Sequence, residues 1–145
     1  MPVTMIPELN VTDFAASKRF YCDLLGWQVV YDRPEEDFAM LSLGDIRLMI
    51  DGLRVGRNFD KTLTPTDRPF GRGMNLEIEV PALAPLLKAL HAAGYPLYLP
   101  VEEKWYRAGD DEVGQRQFIV ADPDGYLLRF AETLGRRPAV RARAL

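Results

Sequence analysis

The sequence predicts an α+β fold made of two copies of one module, in which a strand and a helix are followed by three more strands. A strand-and-helix pattern covers residues 4–26 and returns at residues 75–94, and turn residues separate short apolar runs after the first copy. The chain closes with QFIVADPDGYLLRF, in which the DPDG sequence is typical of a tight turn between two strands. The chain has 145 residues, of which 48% are hydrophobic, so it can bury the core of one domain or of two half-domains.

The first module begins with a predicted strand over residues 4–11, which a helix follows at once. Thr12 or Asp13 can cap the helix, and Gly26 offers a left-handed residue at its end. Three further runs are rich in β-branched and aromatic residues and predict antiparallel strands. These runs are residues 27–32, 38–43 and 46–51.

The second module repeats the first at a fixed spacing. Val11 and Val80 end the two opening strands and lie 69 positions apart, and the same offset pairs Glu8 with Glu77. A segment rich in Gly, Pro, Thr and charged residues separates the copies and predicts a linker over residues 53–72. We therefore assign residues 1–52 to the first module and residues 73–134 to the second.

The rest of the second module is predicted to contain a strand over residues 96–101, a polar loop over 102–114 and a hairpin over 117–132. In the last strand Leu128 and Phe130 alternate with Arg129, so one face meets a core and the other carries a charge. Residues 135–145 lack apolar periodicity and predict a basic, flexible tail.

The composition argues against several classes of function. A net charge of −3 gives no broad basic surface for a nucleic-acid backbone and favours cationic or neutral ligands. Cys22 is the only cysteine, so the chain can build no intramolecular disulfide or thiolate metal cluster. No apolar run approaches the length of a membrane span. We expect a cytoplasmic protein without nucleic-acid or membrane partners.

Two βαβββ modules, the opening LNVTDFAASKRFYCDLLGW and the ending QFIVADPDGYLLRF together resemble the vicinal oxygen chelate superfamily. That superfamily includes glyoxalases, extradiol dioxygenases and the fosfomycin- and bleomycin-resistance proteins. The resemblance spans roughly residues 4–133. It implies that the two modules curve their sheets into a cup with the helices outside, and that the protein is a homodimer.

The enzymes of this superfamily place a divalent metal in the cup, and the resemblance carries their metal-ligand positions onto Ile6, Asn75 and Arg129. None of these is a good divalent-metal ligand, and Arg129 would put a fixed positive charge where the metal belongs. The chain is therefore more similar to the bleomycin-resistance branch, which holds its drug without metal in clefts at the dimer interface. We expect no cofactor, no metal ligand and no catalytic residue.

The predicted ligand-binding residues come from strand alternation and from the resemblance. Alternation places acidic side chains of both modules and Arg129 on the cup face, and the resemblance carries an aromatic lining onto Tyr31 and Phe38. Trp105 and Tyr106 are predicted to form an aromatic lid on the loop or an anchor in the dimer. The full set is Glu8, Tyr31, Phe38, Glu77, Glu79, Trp105, Tyr106 and Arg129.

Three hypotheses about function follow. The first is a homodimeric, metal-independent protein that sequesters a small amphipathic, antibiotic-like molecule, cationic or neutral. The second is an enzyme of the same fold, a lyase or isomerase, which uses a carboxylate base or a shifted metal held by Glu8 and Glu77. The third is a structural or regulatory module in which Arg129 and Glu77 or Glu79 fill the cavity as an ion-pair network.

Overall fold

Strands and short helices alternate along the computed structural model, which describes residues 2–139. The elements are β1 (Glu8–Val11), α1 (Phe14–Lys18), a π-helix (Arg19–Leu24), β2 (Gln28–Arg33), a 3₁₀ turn (Pro34–Glu36), β3 (Phe38–Leu43), β4 (Ile46–Gly52), a second 3₁₀ turn (Pro65–Asp67), β5 (Asn75–Glu79), α2 (Ala84–Ala92), β6 (Leu99–Ala108), β7 (Asp111–Ala121) and β8 (Leu127–Pro138).

The strands form two four-stranded sheets with the same topology. Their strand orders are β1-β4-β3-β2 and β5-β8-β7-β6, and in each sheet the opening strand is parallel to its neighbour while the other pairs are antiparallel. Each sheet belongs to its own compact unit, the first reaching from the N-terminus to Arg72 and the second starting at Gly73. The predicted α+β class with a repeated βαβββ order is confirmed.

The helix of the first unit covers one face of its sheet. The carboxylate of Asp13 accepts a hydrogen bond from the Ala16 N–H at 3.0 Å and so caps the first turn of α1. The chain then widens into the π-helix, in which the Leu25 N–H donates to the Phe20 carbonyl at 3.1 Å. The neighbours Phe20 and Tyr21 are both buried there, although they are adjacent in sequence.

The core of the second unit lies on one face of its sheet. The rings of Phe118 and Phe130 stack with their centroids 5.6 Å apart, and Leu128 and Leu90 of α2 are also buried. The expected alternation along β8 is confirmed, because Leu128 and Phe130 are fully buried while Arg129 between them is partly exposed. This alternation leaves the opposite face of the sheet for polar side chains.

The turn between β7 and β8, residues Asp122–Tyr126, belongs to the first compact unit. The Asp124 carboxylate accepts hydrogen bonds from the Thr12 N–H at 3.1 Å and the Thr12 hydroxyl at 2.6 Å. The Asp122 carboxylate accepts a hydrogen bond from the Tyr21 hydroxyl at 2.7 Å. Burial raises the pKa of Asp122 to about 6, although the hydrogen bond from Tyr21 opposes the shift.

The predicted polar loop over residues 102–114 is wrong. Those residues continue β6 and β7 as a long hairpin, and only Gly109 and Asp110 connect the two strands. The sequence of this hairpin lacks the alternation of apolar and polar residues that is typical of a half-buried strand. Its side chains contact one another across the two strands and do not pack on a core. One example is Trp105, which lies against Gly114 on the facing strand.

Two other predicted boundaries also differ. The strand predicted over residues 4–11 starts at Glu8. The predicted tail begins too early, because β8 continues to Pro138 and pairs there with Asp111. The remaining residues of that tail, 140–145, lie outside the described residues. Between residues 2 and 139, no helix is long and apolar enough to cross a membrane.

Candidate ligand-binding site

Polar side chains cover the face of the second sheet that is turned away from its core. The strand register places Arg129 beside Glu77, and Gln117 beside Glu102, so these side chains share one face. We call this surface the polar face of the second sheet. Its members are Asn75, Glu77, Glu79, Glu102, Lys104, Tyr106, Gln115, Gln117 and Arg129.

Gln117 is the centre of the hydrogen-bond network on the polar face. Its side-chain amide nitrogen donates to the Glu102 carboxylate and to the Tyr106 hydroxyl, both at 2.8 Å. Its amide oxygen accepts from the Gln115 side-chain amide at 2.6 Å and from the Arg129 guanidinium at 3.4 Å. Gln117 is 2% exposed, and these bonds use both of its donors and two acceptor positions. The amide is therefore fixed in one orientation.

Arg129 lies at the centre of the same face and is only loosely paired with an acid. Its Nε donates to the Asn75 side-chain oxygen at 3.1 Å, and its terminal nitrogen Nη2 lies 4.0 Å from a Glu77 carboxylate oxygen. The same oxygen of Glu77 accepts a shorter hydrogen bond, 2.8 Å, from Gln115. Asn75, Glu77 and Arg129 therefore lie together on one face of the second sheet.

The residues at the metal-ligand positions that the resemblance assigns do not fit a divalent cation. Asn75 offers an oxygen, but that oxygen accepts a hydrogen bond from Arg129, whose guanidinium occupies the adjoining position as a permanent cation. Ile6, the third position, has no ligand atom in its side chain. Within residues 2–139, no group of three or more His, Cys, Asp or Glu side chains is arranged to hold a metal ion.

The corresponding face of the first sheet carries aromatic and acidic side chains. The rings of Tyr31 and Phe38 lie 6.0 Å apart, and the Arg33 guanidinium lies 4.1 Å from the centre of the Phe38 ring. Asp51 is opposite Phe38 in the ladder, and burial together with the nearby charge of Glu8 raises its pKa. Tyr31, Phe38 and Glu8 therefore share one face of the first sheet.

Trp105 and Tyr106 are on β6 and not on a loop, so as adjacent strand residues they point to opposite faces. Tyr106 joins the polar face through its hydrogen bond with Gln117. Trp105 lies on the other side, where the Arg137 guanidinium stacks 3.8 Å from the ring centre. The polar face thus includes Tyr106 but not Trp105.

Four members of the polar face were not predicted from the sequence, namely Glu102, Lys104, Gln115 and Gln117. The missed signal is alternation with a period of two, which connects Gln115 and Gln117 through β7. Glu102 and Lys104 lie within the residues predicted as a loop, and Gln115 and Gln117 carry no charge that would distinguish them as site residues. The remaining predicted residue, Glu79, is exposed on β5 at the edge of the polar face.

Comparison with known proteins identifies relatives over most of the chain. The family model for the Glyoxalase/Bleomycin resistance protein/Dioxygenase superfamily matches residues 3–130. The bleomycin resistance protein of Geobacillus stearothermophilus is 27% identical over 136 residues, which cover 89% of this chain and 96% of that protein. A bleomycin resistance protein of Staphylococcus aureus shows the same identity and coverage.

Solved structures support the same fold. A virulence protein from Salmonella typhimurium aligns with a TM-score of 0.66 at 17% identity, covering 91% of this chain and 97% of that one. TioX from a Micromonospora species aligns with a TM-score of 0.65 at 20% identity, covering 92% of this chain and 100% of that one. The match to the family model over nearly the whole chain confirms the resemblance given by the sequence. The chain belongs to the Glyoxalase/Bleomycin resistance protein/Dioxygenase superfamily.

Proposed function

We propose that this protein is a metal-independent small-molecule-binding protein of the bleomycin-resistance type, which acts by sequestering an amphipathic, drug-like ligand. The observation that carries the proposal is the position of Arg129. Its guanidinium lies between Asn75 and Glu77, at a position where enzymes of the superfamily hold a metal ligand. A surface that holds a permanent cation there is suited to binding a molecule but not to activating it with a divalent metal.

The surroundings of Arg129 support an amphipathic ligand that carries positive charge. The polar face of the second sheet contains three carboxylates, those of Glu77, Glu79 and Glu102, against two cations, those of Arg129 and Lys104. The same face carries Tyr106, which is 40% exposed, so an aromatic ring is available for stacking. Acidic groups attract a cation, and aromatic rings bind the apolar part of such a molecule.

The two relatives named as bleomycin resistance proteins, each aligned over 96% of its length, give the proposal its ligand class. A homodimer with clefts at its interface and a cytoplasmic location belong to the same proposal. At 27% identity, bleomycin is one candidate within a wider class of cationic, aromatic molecules.

Thermal unfolding in the presence of bleomycin, other cationic glycopeptides and planar aromatic cations tests ligand binding. A ligand at a hundredfold excess over its Kd stabilises the folded state by about 2.7 kcal/mol, which raises the Tm of a protein of this size by about 5–10 °C. An upward shift with one of these compounds supports the proposal. No shift across the whole panel would support the structural or regulatory hypothesis in its place.

Two measurements on the purified protein test the remaining parts of the proposal. Elemental analysis after dialysis should find no stoichiometric divalent metal, and one metal ion per chain would support the enzyme hypothesis. The chain has a mass of 16.4 kDa, and sedimentation equilibrium should give twice that mass. A monomer at every concentration would refute the clefts between two copies.

A further inference from the structure

Arg129 has more hydrogen-bond donors than the protein uses. A guanidinium carries five N–H groups. Nε bonds to Asn75 at 3.1 Å, and one N–H of Nη1 makes a long bond of 3.4 Å to Gln117. No hydrogen bond from Nη2 to any residue between 2 and 139 is present, because the nearest carboxylate oxygen, of Glu77, is 4.0 Å away.

The neighbours of Arg129 cannot easily move to pair with these donors. The amide oxygen of Gln117 is held in place from both sides, because Glu102 and Tyr106 fix the other end of the same amide. The Glu77 oxygen nearest Arg129 is already bonded to Gln115 at 2.8 Å. The side chain of Arg129 is 26% exposed, so its outer nitrogens can be reached from the solvent.

We propose that Arg129 binds an anionic group of the ligand, a carboxylate or another group with two adjacent oxygens, through the edge formed by Nη1 and Nη2. The planar fork of a guanidinium matches two such oxygens and forms paired, charge-assisted hydrogen bonds. This inference rests on the proposed function, and it narrows the ligand class. The bound molecule has an anionic group for Arg129 as well as a cationic or polar part for the surrounding carboxylates.

The charges of the polar face set the condition under which this contact forms. The three carboxylates of Glu77, Glu79 and Glu102 outnumber the two cations of this face, Arg129 and Lys104, so a carboxylate alone binds less tightly than a molecule that also carries a positive group. A ligand whose positive group lies near these acids avoids that repulsion. A zwitterionic molecule is therefore expected to bind more tightly than either a purely anionic or a purely cationic molecule of the same size.

Two small probes that share one ring test the anchor, namely benzoate and benzylammonium. Each is titrated into the full-length ¹⁵N-labelled protein while the arginine Nε–H resonances are followed, and the Arg129 signal is assigned by its loss in Arg129→Gln. Benzoate should shift the Arg129 signal along a saturating curve. Backbone amide signals on the polar face should report the same affinity as the Arg129 signal in the wild type, and they measure benzoate affinity in the Arg129 variants, which lack that signal.

Three variants separate the anchor from a general charge effect. Arg129→Gln and Arg129→Lys should each weaken benzoate binding at least tenfold, since neither offers the two parallel donors. Arg116→Gln removes the same charge from the opposite face of the sheet, where Arg116 pairs with Glu132 at 2.9 Å, and should leave benzoate affinity within twofold. Thermal unfolding of each variant shows that it is folded before it is titrated.

The outcomes distinguish this inference from the proposed function. Equal benzoate affinity in wild type and Arg129→Gln, or no benzoate binding at all, overturns the anchor. If benzylammonium or a compound of the larger panel still binds in that case, the proposed function stands without the anchor. If no compound of either set binds, both fail. Saturable benzoate binding that is lost in both Arg129 variants and kept in Arg116→Gln supports the anchor.

Discussion

Replacing Asp122 by Asn should remove a pH dependence of stability from the protein. The Asp122 carboxylate is 3% exposed, and it accepts hydrogen bonds from the Tyr21 hydroxyl and from two backbone N–H groups of its own turn. An asparagine of the same shape can keep the two backbone bonds through its oxygen, and its nitrogen can donate to the Tyr21 oxygen, but the Tyr21 hydroxyl then loses its acceptor. This loss lowers the stability by the same amount at every pH between 4 and 7, so the change in stability with pH reports the charge alone.

The size of the effect follows from the pKa of Asp122, which burial raises from 3.8 to about 6. One pKa unit corresponds to about 1.4 kcal/mol. When folding raises the pKa of a carboxyl group, the folded state holds the proton more tightly than the unfolded state. The group's contribution to stability is therefore fully present below the unfolded pKa and is lost as pH rises through the folded pKa. Between pH 4 and pH 7 this one group should therefore lower the free energy of unfolding of the wild type by about 2–3 kcal/mol.

Urea unfolding at several pH values between 4 and 7 measures the effect. The Asp122→Asn protein should gain about 2–3 kcal/mol relative to the wild type as pH rises across this range. Asp13→Asn is the matched control, because Asp13 is an exposed helix cap and Asn caps equally well. Parallel stability curves for wild type and Asp122→Asn, or a relative loss with rising pH, would contradict the structural reasoning.

Three further substitutions test the second unit. Gly114→Ala would place a methyl carbon 2.6 Å from the Trp105 ring, so the free energy of unfolding measured in urea should fall by about 1–3 kcal/mol. A variant as stable as the wild type would show that the ring moves freely. Gln117→Leu removes the hydrogen bonds from the Gln117 amide to the Tyr106 hydroxyl and the Glu102 carboxylate, and it should lower the free energy of unfolding by about 1–3 kcal/mol in the same assay. An unchanged free energy of unfolding would mean that water replaces the amide. Arg129→Glu puts a carboxylate beside Asn75 and Glu77 and should create measurable Mn²⁺ affinity by calorimetry; unchanged affinity would count against the assignment of this position.

Short-range signals predicted the fold well. The turn at Asp122-Pro123-Asp124-Gly125 needs few residues to define it, and Gly125 indeed adopts a positive φ of 96°. The alternation of Leu128, Arg129 and Phe130 needs only a buried core on one side. Features that depend on two or three consecutive residues and on one core were therefore visible in the sequence.

Features that depend on distant partners were not visible. The hairpin through Trp105 is held by contacts with Gly114 and Arg137 on other strands, and its sequence shows no apolar alternation. Gln117 has no charge to draw attention to it, and its role arises from partners on two strands. The candidate site was thus predicted on the strands β5 and β8, and missed on the long hairpin of β6 and β7, whose strands over residues 102–114 were not visible in the sequence.

The turn at Asp122–Tyr126 also has a consequence for how the chain is made. The Asp124 carboxylate that binds Thr12 lies 112 residues further along the sequence, and the carboxylate that accepts from Tyr21 lies 101 residues away. During synthesis on the ribosome the N-terminal segment therefore emerges long before these acceptors exist. Its buried Tyr21 hydroxyl stays unsatisfied until the turn has been translated. We therefore expect a nascent chain stopped at Arg72, which lacks these acceptors, to remain sensitive to protease until the rest is supplied.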